Sequence, residues 1–351
     1  MEREPEVYAR QAGYRPIDAR LSPRFAGIRT FARLPHVRDD LSGVDVAIIG
    51  FPFDTATSYR SGARFGPEGI RSASVLLRPF NAHQGVDVFE ALACVDFGDV
   101  TIAPGDTVIT YERAQADLVA VINTGAFPLV LGGDHAITLA ELREVARVHG
   151  PLALVHLDSH SDTWDSYFGQ PYFHGTTFRR ALEEGLIDPA RSIQAGLRGP
   201  LYSADDFEEP RRLGFATLTT DELRALGPAA YGELVRERIG ERPVFLTFDV
   251  DFCDPAYAPG TGTPEVGGFT SAEAQAFVRS LAGVPLVGAD VVETAPAYDG
   301  PGQPTALLAA NIAWEILALV ALRERVPGGG ERLAQGSRSD GQTAGNGGER
   351  L

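Results

Sequence analysis

Apolar, β-branched runs recur along the chain at intervals that leave room for a helix between them, the signature of alternating β/α units and a largely parallel sheet. The runs that predict strands are Val44–Gly50, Ala93–Phe97, Phe127–Leu131, Leu152–Leu157, Ser192–Leu197, Phe215–Leu218, Val244–Phe248 and Pro285–Val291. Helical spacing predicts helices at Tyr111–Asn123, Thr138–Val148, Asp221–Leu226, Tyr231–Ile239 and Thr270–Leu281. Thr219 with Glu222, and Thr270 with Glu273, have the spacing of capping boxes. A last helix, from about Pro304 to Arg325, is apolar nearly all round and should pack inside an oligomer or a thick layer. Nothing divides this pattern in two, so a single α/β domain is expected. The stretch before it, with Tyr14-Arg15-Pro16 and Leu34-Pro35-His36, reads as an irregular arm that covers a neighbouring subunit or the site mouth, or wraps the surface. The glycine-rich, polar end from Pro327 to Leu351 has little to bury and reads as a disordered tail.

Composition narrows the function classes. The 351 residues are 44% hydrophobic and 22% charged, as in a soluble globular protein. A formal net charge of -16 disfavours nucleic acid and anionic membrane as partners, since both are polyanions, and is compatible with a cationic small substrate. Two cysteines far apart, Cys94 and Cys253, argue against a disulfide framework and fit a reducing compartment. The charged start Met1–Glu6 leads into no apolar signal segment, and no run approaches the roughly 18 consecutive apolar residues of a membrane helix. The expected location is the cytoplasm.

Chemistry concentrates at three strand ends. In Val155-His156-Leu157-Asp158-Ser159-His160-Ser161-Asp162 an apolar strand breaks into ionisable groups at every second position, so Asp158, His160 and Asp162 leave together on one face. The run Val244–Asp251 repeats the design with Asp249 and Asp251. At the third end, Gly132-Gly133-Asp134-His135, two glycines allow a tight turn that projects His135 into the same crevice. Each motif alone is a common turn or cap. Together they would bury His135, Asp158, His160, Asp162, Asp249 and Asp251 unpaired at heavy cost unless a cation sits among them. Two imidazoles and four carboxylates without a thiolate form a hard donor set, favouring a Mn²⁺-like ion, with Ni²⁺, Co²⁺ or Fe²⁺ as substitutes, over structural zinc. His156 is one step further into its strand and reads as a hydrogen-bonded packing residue; Cys253 reads as a small buried thiol.

Gly132–His135, Asp158–Asp162 and Thr247–Pro255 resemble the three metal motifs of the ureohydrolases, the arginase/agmatinase family of dinuclear manganese enzymes. The resemblance extends from about Val44 to Arg325 and includes Ala258–Pro264 and Asp290-Val291-Val292-Glu293. It implies a single-domain, three-layer α/β/α fold with an eight-stranded, mostly parallel sheet, spanning residues 44–326 between the arm (1–43) and the tail (327–351), and homo-oligomers, trimers or hexamers. It also implies two Mn²⁺ per subunit: one held by His135, Asp158, Asp162 and Asp249, the other by Asp158, His160, Asp249 and Asp251, with Asp158 and Asp249 bridging. By the same resemblance His174 lines the pocket mouth and relays protons, and Glu293 grips a substrate guanidinium by a two-point contact; in the expected mechanism Asp251 passes a proton to the departing amine.

The implied reaction is hydrolysis of a guanidino compound to urea and an amine. The loop Thr163–Phe173 is aromatic and lacks the arginase pattern, so L-arginine is not the expected substrate. The expected reaction is that of an agmatinase, agmatine to putrescine and urea, with Trp164 and Tyr167 offering π faces to a cation or simply packing. Ser58–Pro67 resembles the proclavaminate amidinohydrolase branch, and Arg60 or Arg64 could pair a substrate carboxylate or equally stabilise a turn, so guanidino-acid hydrolysis is the alternative, with guanidine hydrolysis beside it. Ala136 and Ser159 depart from the usual Ser and Ala of the family, and both touch the surroundings that tune the metals. A non-catalytic metal-binding assembly subunit, the competing class, would be expected to have lost ligands that this chain keeps.

Overall fold

The computed structural model describes residues 14–324. Eight strands form one sheet: β1 Val46–Gly50, β2 Cys94–Asp99, β3 Phe127–Leu131, β4 Ala153–Leu157, β5 Ile193–Leu197, β6 Ala216–Thr219, β7 Val244–Asp249 and β8 Leu286–Val292. Their spatial order is β2-β1-β3-β8-β7-β4-β5-β6, and every neighbouring pair is parallel. All eight apolar runs are therefore strands. They read as unbroken apolar stretches because helices cover both faces, and β1, β3, β4, β5 and β7 are buried at every position. Successive residues feed opposite cores: Val155, Leu157, Leu246 and Phe248 pack on one side with Ile312 and Leu317, and Leu154 and Phe245 on the other with Leu118 and Leu142.

The helix Pro304–Glu324 resolves the choice left by its all-round apolarity. It is long and apolar enough to cross a membrane, yet 83% of that apolar window is buried inside the chain, so it is a core helix of a thick layer. Both capping boxes form, at Thr219 and Thr270. The helices expected at Asp221–Leu226 and Tyr231–Ile239 are one run, Thr220–Ile239, broken at Gly227 (φ 75°) ahead of Pro228. Four helices were not foreshadowed by apolar spacing: Gly66–Ser74, which opens on Gly-Pro-Glu-Gly; the single turn Val88–Ala91; Thr177–Glu183, which has only two turns; and the polar Asp205–Arg212.

Residues 14–43 wrap the chain's own surface at the β2 edge. Phe31 and Leu34 are buried, the Phe31 N–H donates to the Asp96 carboxylate at 2.7 Å, and the Cys94 N–H donates to the Tyr14 carbonyl at 3.0 Å. The expected tail, 327–351, lies outside the described residues. Strand order brings β3, β8, β7 and β4 side by side at the centre of the sheet. The chain departs from their carboxyl ends at His135, Glu293, Asp249 and Asp158, in the crevice where α/β sheets bind ligands.

Candidate metal centre and substrate cavity

The turn after β3 depends on Gly133. A Cβ there would lie 1.7 Å from the Phe53 carbonyl oxygen, so no other residue lets the chain pass. Asp134 then caps the turn, accepting from the Ala136 N–H at 3.0 Å and the Ala56 N–H at 2.8 Å, which aims His135 at the ends of β4 and β7. Asp162 (φ 51°) and Glu293 (φ 61°) both hold the left-handed conformation that ordinary side chains avoid. Such backbone persists where the surroundings over-determine it, as at functional sites.

Nδ1 of His135 lies 3.0 Å from Oδ2 of Asp158, 3.1 Å from Oδ2 of Asp162 and 3.3 Å from Oδ2 of Asp249. Nδ1 of His160 lies 3.0 Å from Oδ2 of Asp251 and 3.5 Å from Oδ1 of Asp158. The donors fall into two groups: His135, His156, Asp158 and Asp162 in one, and Asp158, His160 and Asp251 in the other, with Asp158 common to both. Asp249 meets the first group through His135, while its Oδ1 accepts the Asp251 N–H at 2.8 Å. All six expected ligands thus converge.

The site demands positive charge. Nδ1 of His135 and Oδ2 of Asp251 are buried with no hydrogen-bond partner. Nε2 of His135 lies 2.8 Å from the Thr247 hydroxyl; with its hydrogen there, Nδ1 turns a lone pair toward three carboxylate oxygens. Burial, then Asp251 and Asp158, push the Asp249 carboxyl well above its usual range, a measure of how the anions crowd one another. A proton on Nδ1 relieves one contact, whereas a divalent cation serves the nitrogen and the three oxygens together. The residues therefore fit the dinuclear metal site implied by the motifs, and the absence of thiolate fits a hard ion.

The two departures noted in the motifs have separate consequences. Ser159 donates its hydroxyl to Oδ1 of Asp251 at 2.7 Å and its N–H to the same oxygen at 3.1 Å, leaving Oδ2 for the centre. Ala136 is fully buried, and its carbonyl accepts the Tyr111 hydroxyl at 2.8 Å, so its side chain is packing.

Glu293, the residue expected to grip a guanidinium, is 1% exposed. Its Oε1 accepts the His135 N–H at 3.0 Å and lies 2.8 Å from Nδ1 of His174, so that oxygen is spent and only Oε2 is without a partner. His174 lines the cavity. Its Nε2 accepts the Ser58 N–H at 3.1 Å, and since an N–H only donates, Nδ1 carries the hydrogen that faces Glu293. Burial works against a charged His174 ring, and the Glu293 contact outweighs it, raising its pKa.

Above the metal ligands opens a cavity of about 590 Å³. Trp164 and Tyr167 line it as expected, stacked at 5.0 Å with an interplanar angle of 7°, so each ring has one face already covered. The Tyr167 hydroxyl lies 3.1 Å from that of Tyr202, a residue no motif pointed to. Arg60 and Glu265 complete the rim. Arg64, the other arginine put forward for a substrate carboxylate, is instead committed to buried Asp54.

A family profile described as Arginase family matches residues 44–319. The chain is 44% identical over 311 residues to the guanidinobutyrase of Pseudomonas aeruginosa, covering 88% of this chain and 97% of that protein. It is 42% identical over 307 residues to the mitochondrial agmatinase of Gallus gallus, covering 87% and 89%. Among solved structures, the proclavaminate amidino hydrolase from Streptomyces clavuligerus superposes with a TM-score of 0.82 at 46% identity, covering 86% of this chain and 99% of that one.

Proposed function

Since the chain belongs to the arginase family and is a metal-dependent hydrolase of guanidino compounds, we propose that its substrate is a guanidino acid, cleaved to urea and an amino acid. The observation that carries this reading is Arg60. Its guanidinium rests 5.4 Å from the Tyr59 ring centre and 5.2 Å from that of Tyr298, at the cavity rim, and no acid among the described residues pairs with it. The other cavity arginine, Arg198, is consumed by the carbonyls of Gly196, Phe252, Cys253 and Glu265. Arg60 is thus a receptor for a carboxylate at the far end of a substrate whose guanidinium sits over the metal ligands. The agmatine ammonium would face that cation instead. At about 4 Å in water a unit pair is worth about 1 kcal/mol either way, which makes the preference about 2 kcal/mol, or roughly 30-fold. Agmatine remains the second reading, favoured by Glu265 on the same rim.

Two Mn²⁺ per chain, with Ni²⁺ or Co²⁺ as alternatives, would be held by His135, Asp158, Asp162, Asp249, His160 and Asp251, and once bound would supply water that ionises near neutral pH as the nucleophile. The protein's own groups do the rest. Oε2 of Glu293 turns toward the substrate guanidinium, the stacked Trp164 and Tyr167 confine its aliphatic chain, and Asp251 passes a proton from the attacking water to the leaving amine. The His174 ring, fixed between Glu293 and Ser58, exchanges protons with solvent through the cavity.

Urea release from the Mn²⁺-loaded and Ni²⁺-loaded enzyme should be measured on 4-guanidinobutanoate, 3-guanidinopropionate, agmatine, arginine and guanidine. One of the two acids should exceed agmatine in kcat/KM by roughly 30-fold, and Arg60→Met should remove that advantage, lowering the acid and raising agmatine by about 5-fold each. Preferred turnover of agmatine, unchanged in Arg60→Met, selects the second reading.

A further inference from the structure

His156 belongs by distance to the same group as His135, Asp158 and Asp162, and so could be counted a metal ligand. Its hydrogen bonds argue otherwise. The ring is fully buried on β4, 4.4 Å from the Phe178 ring, with Nε2 at 2.6 Å from Oδ2 of Asp158 and Nδ1 at 3.0 Å from Nε2 of Gln194. His156 and Gln194 are register partners on β4 and β5. The same Gln194 nitrogen lies 2.6 Å from the Ser161 carbonyl oxygen. A carbonyl only accepts, so the group facing Ser161 is the amide NH₂, and its second hydrogen points at Nδ1 of His156. Nδ1 is therefore an acceptor, and a neutral ring with that arrangement carries its hydrogen on Nε2, toward Asp158.

We infer that His156 is a positioning residue rather than a ligand, and that Gln194 sets its tautomer so that it orients the carboxylate of Asp158 for sharing between two metals. This rests on the reading of Asp158 as a metal ligand. Each oxygen of that carboxylate has one fixed donor, His156 on Oδ2 and the His160 N–H at 2.6 Å on Oδ1. Each keeps its remaining lone pairs for the centre, and neither can rotate away without breaking a bond in a buried site. Both nitrogens of His156 are occupied, and none is left to bind a cation. Outer partners of this kind are worth 10–100-fold in metal affinity or activity, on the order of the effect expected here.

The chain has seven histidines, few enough for selective ring-nitrogen labelling to be read one by one by NMR. Loaded with a spin-active cadmium isotope, the wild-type enzyme should show cadmium coupling at one nitrogen of His135 and one of His160. His156 should show none, with Nε2 protonated and Nδ1 bare. Gln194→Met, close in volume but without the donor, should mix the two His156 tautomers and weaken cadmium and Mn²⁺ binding roughly 10–100-fold in a chelator competition. Cadmium coupling at His156, or a hydrogen on its Nδ1, overturns the inference from the wild-type spectrum alone. Unchanged tautomer and unchanged affinity in Gln194→Met overturn it as well. Absence of coupling at His135 and His160 would instead bring down the metal reading beneath it.

Discussion

Asp251→Asn should lower urea release by roughly 10³-fold or more while leaving a folded protein. The side chain is 1% exposed and its Oδ1 is fixed by both donors of Ser159, contacts that an Asn carbonyl oxygen can keep. What changes is the other end. Oδ2, which has no hydrogen-bond partner and lies 3.0 Å from Nδ1 of His160, becomes an NH₂ that points hydrogens where a cation has to be held. The group of Asp158, His160 and Asp251 then loses one of its two carboxylates, whereas the group around His135 keeps its donors. Metal analysis after gel filtration should therefore fall from two ions per chain toward one, in parallel with the loss of turnover. Full activity in this variant would defeat the dinuclear mechanism and the proton-carrying role of Asp251 together.

That Asp251 stood out in the sequence has a physical basis. Strands buried on both faces are apolar throughout, so a carboxylate at period two where such a strand ends is conspicuous, and Asp158, Asp249 and Asp251 were all legible this way. The eight strands were legible for the same reason, and the helix Pro304–Glu324 by its apolar length. The cavity rim was legible only in part. Arg60 was put forward from the sequence, but Tyr202 and Glu265 were not; every pair of the three lies more than 60 residues apart, and they meet only because the sheet gathers the loops after β1, β5 and β7 on one side, which no local pattern encodes. Gln194 lies between these cases: a polar residue in the apolar run Ile193–Leu197 has to find a partner when buried, and that was a readable signal whose partner, His156, only the register supplies. For Glu293, the resemblance singled out the residue, but not the fact that His135 and His174 already occupy one of its oxygens.

That occupancy makes Glu293→Gln the informative change at the other side of the site. With its carbonyl oxygen in the Oε1 position, the amide can still accept from the His135 N–H and from His174, so the turn that aims His135 and the tautomer of His174 are preserved. The free Oε2 becomes an NH₂, which replaces the anion proposed to face the substrate guanidinium with a donor. Losing one charge-assisted hydrogen bond in a buried setting costs about 1.5–3 kcal/mol, so kcat/KM should fall about 10–150-fold. Because Glu293 belongs to neither donor group, both metals should stay bound, which separates this variant from Asp251→Asn. How the loss divides between the two constants distinguishes the roles available to Glu293. A rise in KM alone assigns Oε2 to ground-state binding, and an equal fall in kcat and kcat/KM assigns it to the transition state. If kcat/KM is unchanged, the guanidinium is held elsewhere and Glu293 serves only to seat His174 and His135.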